Sequence, residues 1–312
     1  MPLGTQCARA YREAVSSVIL TRGLTKRFGA SVALDGLDLD VHEGEVFGFV
    51  GPNGAGKTTT IRLLLDLLRP TAGSVAVLGG DPRRDGVALR ARIGYLPGDL
   101  NLPPKVTGRA FLADQAALRR LDLSPVIDEL ADRLTADLDR PMGELSLGNR
   151  RKIGVVAAFA HRPDLLVLDE PTGGLDPLVQ QTFRAMVREA AAAGATVFLS
   201  SHVLDEVQHT ADRVAVLRKG RLVAEDRVDA LIARLVRTVR VRFTVAPPGD
   251  SFHGVPGVAG VASPQPDTLE FTLAGAAGPL LAALAPHAPL DLHAPEPDLE
   301  DVFLHLYGEE AQ

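Results

Sequence analysis

Cysteine is almost absent. Cys7 is the single one in 312 residues, so no disulfide can close within the chain and the sequence fits a reducing compartment. A positive excess is missing as well: the formal net charge is -6, where a nucleic-acid-binding surface would usually be basic. No nucleic-acid partner is expected, and so modest a negative charge does no more than favour solubility. Long apolar runs are also lacking. Crossing a bilayer takes about 20 consecutive apolar residues. The run from Ile61 to Leu68 is interrupted by Arg62 and Asp66, and that from Pro279 to Leu290 contains three prolines and a histidine. Action at a membrane would therefore need a membrane-spanning partner. Residues 1–16, with Arg9, Arg12 and Glu13, lack the unbroken apolar core of a secretory signal and are expected to form a loose extension. Neither a solenoid-type repeat nor a low-complexity tract is found.

What is present is an ordinary globular composition, 46% hydrophobic and 23% charged, with length enough for about two domains. Ser17 to Leu20 and Gly36 to Val41 alternate as half-buried strands do. Glu45 to Val50 is an apolar run that ends at a glycine-rich loop, after which Thr58 to Leu68 reads as a helix stopped by Arg69-Pro70. Ser74 to Leu78, Arg92 to Leu96, Leu165 to Leu168 and Thr196 to Leu199 read as further strands, with a helix over Leu178 to Ala193. From about Leu100 the spacing turns helical, giving a helical insert over residues 100–160. Strands alternating with helices predict an α/β fold with a mostly parallel sheet covered on both faces. Beyond residue 234 the character changes: Val239 to Val245 and Thr268 to Leu273 alternate, and helices are expected at Gly278 to Ala285 and Asp298 to Tyr307. Residues 17–234 are thus expected to form the main domain and 235–312 a small separate α+β domain.

Gly51-Pro52-Asn53-Gly54-Ala55-Gly56-Lys57-Thr58 fits the P-loop pattern in full. Its glycines let backbone N–H groups turn inward around phosphate oxygens, and the helix that follows adds its dipole. Lys57 is placed for the β- and γ-phosphates and Thr58 for Mg²⁺; Thr59 follows on the same helix. The loop lies between an expected strand and an expected helix, as the mechanism requires. Leu165 to Leu168 then deliver Asp169 and Glu170 to a strand end. There Asp169 can reach the metal directly or through water, and Glu170 can orient and deprotonate an attacking water.

Leu145-Ser146-Leu147-Gly148-Asn149, followed by Arg150-Arg151-Lys152, resembles the signature of the ABC family. Pro171-Thr172-Gly173-Gly174-Leu175-Asp176 resembles its D-loop, and Ser200-Ser201-His202 its switch histidine. Order and spacing match over roughly Val18 to Val228. The resemblance implies a P-loop ABC-type nucleotide-binding domain with an antiparallel β subdomain and a helical insert. It further implies that Ser146 and Gly148 bind the γ-phosphate held by a second subunit, that Asp176 belongs to the nucleotide-contacting set and that His202 contacts the γ-phosphate. Phe28 sits where the family stacks an aromatic on adenine; an ordinary core phenylalanine is the alternative. The expected ligands are ATP and Mg²⁺. The expected partners are a second nucleotide-binding subunit, in a homodimer, and integral membrane permease subunits that hold the chain at the cytoplasmic face of the membrane.

Two departures from the family stand out. A glutamine usually follows the strand equivalent to Arg92 to Leu96, whereas Gly98-Asp99 stands here; Asp99 is expected to substitute in part at the metal or its water. The signature's Leu147 and Asn149 are forms that resemble exporter ATPases of the drug- and polysaccharide-efflux kind. The closing segment Pro297 to Leu304 resembles the last helix of ABC-2-type drug-exporter ATPases, with Leu299, Val302, Phe303 and Leu306 on one face. Together these imply an ATPase that powers an exporter. A soluble non-transport ABC ATPase and a catalytically weak regulatory module stay open as alternatives. The four histidines His253, His287, His293 and His305 are irregularly spaced and have no cysteine partners, so no metal site is assigned to them.

Overall fold

Gly29 turns the chain at φ +58°, and the residues on either side pair as a long antiparallel hairpin, β1 (Ser17–Phe28) with β2 (Ser31–His42). The structure is a computed structural model and describes residues 17–233, 237–295 and 298–308, the side chains of 305–308 excepted. The extension expected at residues 1–16 and the domain boundary expected at 234/235 therefore lie outside the described residues. Contacts divide the chain into two compact units that part between Arg227 and Val228.

In the first unit, β4 (Ala72–Val77) pairs with the other edge of β1 and completes a three-stranded antiparallel sheet. Sequence alternation marks only parts of β1 and β2. The β1–β2 register shifts between Thr21 and Leu24 and again between Leu24 and Lys26, and each such irregularity breaks the period-two pattern.

The second sheet of this unit contains β3 (Val46–Val50), β5 (Ile93–Leu96), β6 (Leu165–Asp169), β7 (Thr196–Ser201), β8 (Arg213–Arg218) and β9 (Arg221–Arg227). Its order is β5-β6-β7-β3-β8-β9. Neighbours are parallel except for β9, which runs antiparallel to β8. Every residue of β3, β6 and β7 is buried, as expected for parallel strands covered on both faces. Phe47, Phe49 and Phe198 stand in a core shared with Ile19, Leu37 and Val41 of the antiparallel sheet. Phe49 and Phe198 lie 5.2 Å apart between ring centres.

The helix after β3 spans Lys57–Leu64, four residues shorter at its end than the apolar spacing to Leu68 suggests. Asp66 takes a left-handed φ of +56°. The N–H groups of Leu67 and Leu68 both turn back onto the Arg62 carbonyl, at 2.8 and 3.0 Å, and so end the helix.

The insert supplies helices Gly108–Arg119, capped by Thr107, and Ser124–Leu134, whose Ile127, Leu130, Ala131 and Leu134 form one buried face. Helix Leu147–Phe159 then lies directly on β5. A Cβ on Gly94 would stand 2.1 Å from the Ala158 carbonyl oxygen, so only glycine lets that helix approach so closely.

The second unit is an antiparallel sheet of β10 (Arg237–Arg242), β11 (Val258–Gln265), β12 (Thr268–Leu273) and β13 (Asp291–His293), in the order β11-β12-β10-β13. Val239 and Val241 point into a core with Phe252, Phe271, Leu280 and Leu284, while Arg240 and Arg242 point to solvent. Helix Gly278–Leu284 supplies part of that core. In helix Leu299–Gly308 the side chains of Leu299 and Val302 are buried.

The Gly94 contact is testable. Gly94→Ala should destabilise the chain by about 1–3 kcal/mol, seen as a lower urea midpoint by circular dichroism. An unchanged midpoint would contradict the close approach of helix Leu147–Phe159 to β5.

Candidate nucleotide site

Parallel pairing brings four strand ends together. Val50 of β3 pairs with Ser201 of β7, Ser200 of β7 with Asp169 of β6, and Leu168 of β6 with Leu96 of β5. The loops after all four strands therefore emerge side by side at one edge of the sheet, where open α/β sheets bind ligands.

The first of these loops is Gly51 to Gly56. Gly54 and Gly56 take φ of +80° and +112°. A Cβ on Gly56 would stand 2.7 Å from the Ala33 carbonyl oxygen, and one on Gly51 would stand 2.3 Å from that of Leu217. Glycine is thus required at both places by sterics alone. Pro52, Asn53 and Gly54 are exposed, Ala55 is buried, and Thr58 and Thr59 are half-buried. Gly56 precedes helix Lys57–Leu64 without any side-chain cap, which leaves the backbone N–H groups of this end to a ligand.

The buried Lys57 Nζ donates to the Gly51 carbonyl at 2.6 Å and lies 3.4 Å from Glu170 Oε1. Thr58 Oγ1 donates to Asp169 Oδ2 at 3.0 Å. Asp169 is only 1% exposed, and burial pushes its carboxyl above the usual carboxylate range, against the pull of the Thr58 hydrogen bond. Its other oxygen, Oδ1, is buried with no hydrogen-bond partner among the described residues. Such an orphaned hard oxygen beside a threonine hydroxyl fits a Mg²⁺ ion.

Glu170 has a left-handed φ of +49°, a conformation that costs a residue with a Cβ about 1–2 kcal/mol. It is held there by its N–H, which donates to the Ser200 carbonyl at 2.8 Å. The turn aims the carboxylate at two cationic or donor groups: Lys57, and His202 Nδ1 at 2.6 Å from Oε2. An ionised carboxylate only accepts, which assigns the imidazole hydrogen to Nδ1.

Around this centre the other expected residues fall as follows. Phe28 ends β1, is 49% exposed, and has Lys26 Nζ 4.9 Å from its ring centre. Ser146 caps helix Leu147–Phe159, accepting from the Asn149 N–H at 3.2 Å. Gly148 lies where a Cβ would stand 2.5 Å from the Gly174 carbonyl oxygen. Asp176 caps helix Pro177–Ala192 through the Val179 N–H at 3.0 Å. Among the described residues no hydrogen bond joins Ser146, Gly148 or Asp176 to the P-loop. Asp99 is exposed. The approach of its loop to Asp169 is made by Gly98, where a Cβ would stand 3.3 Å from Asp169 Oδ2.

Three roles escape the sequence pattern. Asn149 clamps the backbone of Asp137 in both directions: its Oδ1 accepts from the N–H and its Nδ2 donates to the carbonyl, each at 2.9 Å. Arg151 is buried beneath the site. Glu206 is also buried, accepting from Ser201 Oγ at 2.9 Å and from Thr172 Oγ1 at 3.1 Å. It thereby joins the segment after Glu170 to the one before His202. Its place four residues after His202 is a weak signal, because the surrounding Leu204-Asp205-Glu206 looks like an exposed helix start.

A buried aspartate at the end of β6, a P-loop lysine and a glutamate bonded to a histidine are the parts expected of a P-loop nucleoside triphosphatase. Residues 34–173 match the ABC transporter family. A Nod factor export ATP-binding protein I of Paraburkholderia xenovorans is 37% identical over 297 residues, covering 92% of this chain and 96% of that one. A daunorubicin resistance ATP-binding protein of Streptomyces coeruleorubidus is 41% identical over 222 residues, 70% of each chain. A bacitracin transport ATP-binding protein of Bacillus licheniformis is 35% identical over 223 residues, 70% of this chain and 73% of that one. Among solved structures, an ATP-binding subunit of an ABC transporter superposes with a TM-score of 0.64 at 27% identity, over 69% of this chain and 92% of that one. A dimeric bacterial ABC transporter cassette gives 0.60 at 22% identity, over 67% and 98%, and so speaks to the fold alone. The chain belongs to the ABC transporter ATP-binding proteins, as an ATPase of the exporter type.

The buried Glu206 gives this site a pH signature. Burial raises its carboxyl from 4.5 to about 7, against the two hydroxyl hydrogen bonds, so the folded chain holds a proton there more tightly than the unfolded one. The stability this contributes is full below about pH 4.5 and lost as the pH rises through about 7. Glu206→Gln should therefore gain on the wild type by about 1–3 kcal/mol between roughly pH 5 and 8 in urea unfolding. A difference that stays flat with pH would contradict the buried, protonated carboxyl.

Proposed function

We propose that the chain hydrolyses ATP to drive export of a drug, antibiotic or lipid-like molecule through separate membrane-spanning subunits, working in pairs at the cytoplasmic face of the membrane. The observation that carries the catalytic part is Glu170, held between Lys57 at 3.4 Å and His202 at 2.6 Å. The substrate class rests on relatives whose names refer to Nod factor export, bacitracin transport and daunorubicin resistance. No helix among the described residues is long and apolar enough to cross a membrane, so on this reading the pathway belongs to the partners.

In the proposed reaction Glu170 accepts a proton from a water as its oxygen bonds to the γ-phosphorus and the bond to ADP breaks. The P-loop N–H groups and Lys57 hold the β- and γ-phosphates, and Phe28 offers an exposed face for the adenine. Mg²⁺ would be held by Thr58 and Asp169, with Asp99 as a further oxygen donor to the metal or its water, and would neutralise phosphate charge. His202 orients Glu170 and contacts the γ-phosphate. Ser146 and Gly148, at a helix N-terminus, and Asp176 would come from a second copy, since within one chain they make no bond to the P-loop. A cleft lined by Leu67, Tyr95, Leu100, Leu102 and Phe111, with Arg90 and Arg119 also in its wall, reaches the chain next to Asp99 at Leu100, and we assign it to the membrane subunit.

One feature favours a second reading, a regulatory module with weak catalysis: Gly98 stands where the family usually has glutamine. Steady-state ATPase assays separate the two. Glu170→Gln should bind ATP about as tightly as wild type while turnover falls on the order of 100-fold or more. Wild-type-like turnover in that variant would remove Glu170 from the role of base, and an inactive wild-type protein that still binds ATP would favour the regulatory module.

A further inference from the structure

We propose that Arg151 is a positioning residue that fastens the Gly98 loop, where the family's usual glutamine is missing, and the segment after Glu170 to helix Leu147–Phe159. The inference rests on the ATPase reading above.

Arg151 lies in the second turn of that helix, one turn beyond Ser146 and Gly148, and is only 6% exposed. Its Nη1 donates to the Pro97 carbonyl at 2.6 Å, its Nη2 to the Gly98 carbonyl at 2.9 Å and its Nε to the Gly173 carbonyl at 3.4 Å. All three acceptors are main-chain oxygens on two different loops. Among the described residues no carboxylate stands within ion-pairing distance of it. The charge is instead balanced at longer range by Asp169, Glu170, Asp99 and Glu206, which oppose the effect of its burial. A buried cation is costly, and a neutral side chain would fill the same space. What the guanidinium adds is a rigid planar fork whose separate nitrogens reach three carbonyls on two loops, whereas an ammonium donates from a single atom.

Each tie bears on the chemistry. The Gly98 loop rests against Asp169, at 3.3 Å from a built Cβ to Oδ2, so its position sets the wall beside the metal oxygens. Gly173 precedes Gly174, whose carbonyl oxygen lies 2.5 Å from where a Cβ on Gly148 would be. One side chain therefore holds together the N-terminal end of the signature helix, the loop beside Asp169 and the turn after Glu170. Glycine at 98 has no side chain with which to hold its own loop. The bonds to its carbonyl and to that of Pro97 come from the helix instead. ATP binding to the P-loop of one chain needs none of these ties, while assembly of the complete site does.

Full-length Arg151→Met and Arg151→Lys would be compared with wild type for ATP binding to dilute protein, steady-state hydrolysis, and urea midpoint. We expect ATP affinity within about twofold of wild type and kcat lower on the order of 10- to 100-fold in both variants. Lysine should not rescue, because it keeps the charge and loses the fork. Wild-type kcat in Arg151→Met would overturn the proposal. So would full rescue by lysine, or a loss of ATP binding in step with the urea midpoint, which would make Arg151 a fold-stabilising residue only. If the wild type binds ATP without hydrolysing it, the ATPase reading fails instead. In that case amide exchange at residues 98–99 and 173–174 decides: faster exchange in Arg151→Met at an unchanged midpoint supports the tie, and equal exchange overturns it.

Discussion

A carboxylate at the end of a fully buried strand has to be balanced by something, and the site is arranged around that demand. Asp169 is almost out of contact with water, with Thr58 on one oxygen and nothing on the other among the described residues. Desolvation alone would favour its neutral form; the nearby Ser200 hydroxyl opposes this, and so do the Thr58 hydroxyl and the Lys57 ammonium. Both come from the helix that starts at Gly56, and that helix is placed by a loop with room only for glycine at two of its turns. Moving this loop would therefore leave the buried carboxyl without two of its partners, so the glycine loop and Asp169 are held as one unit. The strand before Glu170 and the Ser200 carbonyl hold one side of its strained left-handed turn, and the Gly173 N–H, donating to the Glu170 carbonyl, holds the other.

Much of this centre was legible in the sequence, because phosphate chemistry demands particular residue types at fixed spacing. Gly51 to Thr58, Asp169-Glu170 and His202 are each identified by what stands next to them in the chain, and the parallel strands that align them read as unbroken apolar runs. What was not legible depended on distant neighbours. Irregular pairing hid most of the length of β1 and β2. A single left-handed aspartate, Asp66, ended a helix that the apolar spacing carries four residues further. Arg151 reads as part of a basic surface run and Glu206 as part of a charged helix start. Burial turns both inward, and burial is decided by loops 22 to 54 residues away in sequence. Asn149, unusual as a signature residue, proves to be a backbone clamp on Asp137.

Within one chain the candidate site draws together only part of the set that the proposed function requires. Lys57, Thr58, Asp169, Glu170 and His202 converge, whereas Ser146 sits exposed at the start of its helix, bonded only within its own turn. The proposed export function depends on a second copy closing this gap, with opening and closing transmitted to membrane partners through the loop at Gly98.

Mixing two defective chains tests that claim most directly. Lys57→Ala removes the P-loop lysine but keeps Ser146, and Ser146→Arg does the reverse. If the site is shared, each variant alone should be inactive. Their equimolar mixture should regain hydrolysis, because a mixed pair contains one intact P-loop facing one intact signature. A mixture no more active than its parts, or full activity from Ser146→Arg by itself, would contradict the shared site.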